Sequence, residues 1–169
     1  MFKFLLFYIV FTFIYKQYLN VYNPLYNEVD YITVLVAENT NSLLHFFNQE
    51  SKLLVHEFEP SIKMLFNGKY ISRIIEGCNA VSVIILFAAF IFAFSSTFKK
   101  TILFIFFGTF LIYALNVIRI ALLTYALYYF PQFQELLHGT IFPLFIYGVV
   151  FVLWIVWVTR FSGYDKTNT

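Results

Sequence analysis

Charge is what this chain has least of. Asp, Glu, Lys and Arg supply 12% of its 169 residues, against about 25% in an ordinary soluble domain. Hydrophobic residues make up 61%, and a single water-soluble core of this size cannot hide that excess. A soluble domain is therefore excluded and an integral membrane protein is the direct reading. The basic residues are scattered, and no Lys/Arg stripe offers a nucleic-acid partner. Cysteine occurs once, at Cys78, which excludes an intramolecular disulfide and any CxxC or zinc-finger pattern. The stretch HEFEP at 56–60 lacks the second histidine of a zinc-binding HExxH helix. Gly-rich phosphate loops, a GxSxG elbow, internal repeats and low-complexity tracts are also missing. No metal and no organic cofactor is expected.

Long apolar runs take the place of charge. A spanning helix needs about 20 mostly apolar residues. Asn79–Phe98 is uncharged, Thr101–Phe130 carries only Arg119, and Gly139–Thr159 is uncharged. A fourth run covers roughly Phe4–Tyr22, with Lys16 near one end, where its stem can snorkel to the interface. Bulky residues stand where a signal-peptide cleavage site would need small ones, so this run reads as an uncleaved anchor. The expected fold is an all-α integral membrane protein forming one domain over residues 1–169. It has about four transmembrane helices, near 4–22, 79–98, 101–126 and 140–159, and an outer segment at 23–77.

Positive charge orients the spans. Lys3 precedes the first, Lys99 and Lys100 join the second and third, and Arg160 and Lys166 follow the fourth. These connections are expected in the cytoplasm, with both termini. The link Tyr128–His138 has no Lys or Arg and falls outside, where Tyr125, Tyr128, Tyr129 and Phe130 suit an aromatic belt. The outer segment is not featureless. Ile32, Leu35, Val36, Leu43, Leu44 and Phe47 recur at near-helical spacing around Glu38, Asn39 and Asn41, which predicts an amphipathic helix lying on lipid or on the bundle. Asn67-Gly68 between two β-prone runs predicts a small β-hairpin, because a tight type I′ turn needs positive φ at both centres.

Three reactive side chains converge in depth. Cys78 opens the second span from outside. Arg119 lies about 27 Å along the third span, at about 1.5 Å per residue from Thr101. That distance nearly crosses a hydrocarbon core of about 30 Å. His138 stands at the outer entrance to the fourth span. Each has a plain alternative: a packing cysteine, a snorkelling arginine, an inert interfacial histidine. Their common level on three helices favours chemistry. A thiol at a helix N-terminus beside a cation gains thiolate character. Arg119 can hold an oxyanion, and His138 can move a proton. Asn116, one turn before Arg119, and Glu76, beside the cysteine, are candidates to orient the charged groups. His138 is either the end of a short helix from Pro131 capped by Gly139, which favours its protonated form, or the start of the fourth span, which favours the neutral one.

The stretches EGCNAVSVIILF, NVIRI and HGTIFPLFIYG, in this order and spacing, resemble the exosortase/archaeosortase family, with the closest likeness to its short F-type branch. The likeness covers roughly residues 70–160 and, more loosely, the whole chain. It implies a membrane-embedded cysteine transpeptidase in a bacterial inner membrane, with its active site on the outer side. It also implies membrane-anchored substrate proteins bearing a C-terminal sorting signal: a short motif, a transmembrane helix and a basic tail. The family's nucleophile, arginine and histidine would map onto Cys78, Arg119 and His138. Asn79-Ala80 follow the cysteine where many relatives carry Ser-Gly, so no substrate motif is carried over. The competing reading is a non-catalytic membrane scaffold or accessory subunit in which Cys78 only packs.

Overall fold

The computed structural model describes residues 2–23, 26–95 and 97–161; Lys166, counted above among the cytoplasmic charges, lies outside them. Helix α1 (Phe2–Leu19) leads into α2 (Tyr31–Phe46). Three strands follow, β1 (Ser51–Val55), β2 (Ile62–Phe66) and β3 (Lys69–Ile74). Then come α3 (Val81–Ala93), α4 (Phe98–Tyr129) and a helix α5 running from Pro131 to Phe161. Helices α1, α4 and α5 are long and apolar enough to cross a membrane, and α3 is a shorter apolar helix.

The helical membrane architecture is therefore present, with boundaries that differ from the hydropathy of the runs. The second apolar run yields only the 13 residues of α3, about 20 Å at 1.5 Å per residue. Side chains set its ends. At the start, Asn79 Oδ1 accepts the Val81 N–H at 2.9 Å, and Ala80 takes a left-handed conformation at φ 65°. At the finish, Trp157 Nε1 of α5 donates to the Phe94 carbonyl at 2.9 Å. Helix α4 has 32 residues, about 48 Å, longer than a hydrocarbon core requires. The surplus packs under the sheet: the Phe66 ring lies 6.1 Å from Tyr125 and 5.1 Å from Tyr128. Tyr128 of the expected aromatic belt is thus partly covered by protein, while Tyr125, Tyr129 and Phe130 remain exposed.

The turn at Asn67-Gly68 forms as its residues require, with φ 49° and 74°. The sheet gains a third strand, β1, in the antiparallel order β1-β2-β3. Strand β2 alternates Ile62, Met64 and Phe66 inward, and these side chains form a core with Val36, Ala37 and Leu44 of α2 and Ile120 and Ala121 of α4. Helix α2 begins at Asp30, whose carboxylate accepts the Thr33 N–H at 3.0 Å as an N-cap. It lies on protein: Thr33, Val36, Ala37, Thr40 and Leu44 are buried, while Phe47 of the expected apolar face is exposed. A second core lies among the membrane helices, with Phe87 and Ile91 of α3, Ile112 of α4, and Val150, Leu153 and Trp157 of α5. Helix α1 joins this bundle through Phe7 and Phe11, which lie 5.4 and 5.6 Å from Phe92.

Candidate functional site

Strand β3 delivers the chain to the site. After Ile74 a 3-10 turn, Glu76–Cys78, reverses it, with the Cys78 N–H donating to Ile75 O at 2.8 Å. Cys78 is therefore in the loop before α3, not in the helix itself. The loop is held by Asn79, which is buried. Its amide donates to Tyr15 Oη at 2.9 Å and to Thr33 Oγ1 at 3.2 Å, while its oxygen caps α3. One side chain so ties α1, α2 and α3 to the residue beside the thiol. Sequence reasoning passed over Asn79 and Tyr15; an amide at the head of an apolar run is the signal that would have found the first.

Asn116 is buried on α4. Its Nδ2 donates to the Cys78 carbonyl at 2.7 Å, and its Oδ1 accepts from Arg119 Nη1 at 3.2 Å. An amide thus bridges the cysteine loop to the guanidinium. The Arg119 Nε is buried without a hydrogen-bond partner, and among the described residues no carboxylate forms an ion pair with it. A cavity of about 420 Å³ is lined by Cys78, Arg119 and His138 together. The remaining wall is Tyr70 to Ile75 of β3 and the residue after it, Ile120, Leu123 and Leu127 of α4, and Gln134 of α5. The strand residues and Gln134 carried no motif in the sequence.

His138 is exposed and lies in a π turn, Leu137–Ile141. The helix runs on through Gly139, so the short capped helix from Pro131 does not form. Pro143 explains the turn: it has no N–H to give to a carbonyl four residues earlier, and the ladder is rephased just before it. His138 therefore stands within a continuing helix, about two turns after Pro131. Glu76 turns away from the trio. It accepts the Tyr15 hydroxyl at 2.7 Å and lines a different cavity, of about 360 Å³, with Glu28 and Asp30. Among the described residues no cluster of His, Cys, Asp and Glu has the shape of a metal site.

Residues 1–160 match the family model described as Transmembrane exosortase (Exosortase_EpsH). No curated protein and no solved structure matches the chain.

Proposed function

The chain belongs to the transmembrane exosortase family, and from that premise we propose that it is a cysteine transpeptidase that processes C-terminal sorting signals of exported proteins at the outer face of a bacterial inner membrane. Cys78 is the nucleophile. His138 takes the thiol proton, and the thiolate attacks a peptide carbonyl of the substrate. Arg119 holds the tetrahedral oxyanion. The intermediate collapses to a thioester as the C–N bond breaks, and His138 returns the proton to the leaving amine. An amine, a hydroxyl or water then attacks the thioester and frees the thiol. Asn116 fixes the guanidinium against the cysteine loop. Glu76 acts at a distance, by holding Tyr15 and so the Asn79 anchor.

The observation that carries this reading is the shared cavity, whose wall includes all three side chains from separate elements. Arg119, whose Nε is without a partner, gives that wall a cationic character suited to a developing oxyanion. The test is intact-protein mass spectrometry of the purified chain with a panel of candidate sorting peptides. Wild type should gain an acyl adduct that hydroxylamine removes, and Cys78→Ala should gain none. Absence of an adduct across the panel, together with a Cys78 inert to a membrane-impermeant maleimide, would leave the scaffold reading in its place.

A further inference from the structure

We propose that the free edge of β3 is the track on which the substrate's recognition segment binds, adding to the sheet as an extended fourth strand that ends at Cys78. The inference rests on the reading of Cys78 as the attacking thiol. Strand β3 pairs with β2 alone among the described residues, so its other edge carries main-chain N–H and C=O groups with no strand beside them. The cavity touches every residue from Tyr70 to Ile75. Successive side chains of a strand point to opposite faces, so a cavity that meets six in a row follows the strand's edge. Three residues later the same wall reaches Cys78.

Edges are usually blunted, and this one carries two such devices. The β2–β3 register shifts between Met64 and Leu65, leaving Ile71 as the extra residue, and Arg73 is tied to Glu59. A bulge beside an active site also re-aims the strand. What decides the matter is the facing wall. Ile120, Leu123 and Leu127 of α4, with Gln134 and His138 of α5, close the cavity opposite β3. These walls bound a space of about 420 Å³, on the scale of a few extended residues and not of a second sheet. The Ser72 hydroxyl and the Arg119 Nε, both on the wall, are buried and without partners, and a bound main chain supplies what they lack. The wall holds Arg119, with Arg73 already paired to Glu59, and no carboxylate. The occupant is therefore an extended, uncharged or acidic peptide, with alternate apolar side chains against α4. Main-chain bonding gives the affinity and the alternate pockets give the selectivity.

The test uses the full chain in detergent and one probe, acetyl-Thr-Val-Thr-Val-Cys-amide, supplied as its mixed disulfide with 2-mercaptoethanol. Attack by the Cys78 thiolate on the probe's sulfur forms the protein–peptide disulfide and expels mercaptoethanol. Capture is titrated against free mercaptoethanol, and hydrogen exchange is followed at the amides of 69–75. Two further probes carry N-methyl groups on the first and third, or the second and fourth, residues. If the edge is the track, capture slows exchange in β3. One methylation pattern then weakens capture about tenfold, because two main-chain bonds are lost, while the other leaves it unchanged. Capture with no slowing in β3 and equal response to both patterns overturns the edge while leaving the thiol's role intact. Failure of all probes to couple to Cys78 means a closed thiol, and both readings fall.

Discussion

At the scale of single residues, Asn116 decides more than its chemistry suggests. It has no charge and no nucleophile, yet its amide joins the Cys78 carbonyl to Arg119. A hydrogen bond to a charged group contributes about 1.5–3 kcal/mol. Asn116→Ala should therefore slow thioester formation about 10- to 100-fold, while Asn116→Gln, which keeps the amide on a longer stem, recovers part of it. Single-turnover rates with one reactive peptide check this, and equal rates for wild type and both variants would remove Asn116 from the machinery. The pairing was legible because Asn116 and Arg119 share a helix face at i, i+3. The link to Cys78 was not, since it spans 38 positions of sequence. Ala80 was hidden as well. Its φ of 65° lies where an L side chain costs about 1–2 kcal/mol, and nothing in the residue type announced that conformation. Ala80 itself is buried, as part of the apolar cluster among α3, α4 and α5, so packing of its methyl group offsets part of that cost.

At the scale of elements, α3 and α4 meet closely at Gly108. A Cβ added at Gly108 would fall 2.2 Å from Phe87 Cζ and 2.6 Å from Cε1. Phe87 is fully buried, so its ring cannot swing clear. Overpacking of this kind costs about 1–3 kcal/mol. Gly108→Ala should lower the melting temperature in detergent, and Phe87→Leu should restore much of the loss when added to it. A double variant no more stable than Gly108→Ala alone would mean that the ring is not what Gly108 accommodates. Elements were legible where local chemistry sets them. Asn67-Gly68 specified the hairpin because few other pairs accept two positive φ values. The apolar spacing from Ile32 to Leu44 specified α2, while its N-cap Asp30 went unread. Strand β1 was not legible: SKLLV has no alternation strong enough to declare itself, and β1 forms because β2 offers a partner from Ile62 to Phe66. The ends of α3 were hidden for the same reason, being set by Asn79 and by a tryptophan 63 positions away.

At the scale of the whole molecule, the chain has two cores with different surroundings. One joins the sheet, α2 and the end of α4, and carries the Cys78 cavity on its margin. The other joins α3, α4 and α5, and its outward side chains are large and apolar, with Phe106 72% and Leu144 70% exposed. In water such a surface would aggregate; against lipid it is satisfied. Lys3 in the first turn of α1, Lys99 and Lys100 in the first turn of α4, and Arg160 in the last turn of α5 share the end remote from the sheet, since Phe104 reaches both Trp157 and Phe161 there and Phe4 meets Phe90 near the end of α3. The proposed function requires this end, where the short connections carry their Lys and Arg, to be cytoplasmic, and the cavity to open on the other side, where an exported protein would present its sorting signal. The expectation is direct. In a Cys78→Ser background, Lys52→Cys on β1 should react with a membrane-impermeant maleimide in intact cells, whereas Lys100→Cys should react only after permeabilisation. Both positions are exposed in the folded chain, so a difference between them reports sidedness and not burial. The opposite pattern would place the thiol cavity in the cytoplasm, where it meets no translocated substrate, and the proposed transpeptidation would lose its geometry even if Cys78 proved reactive.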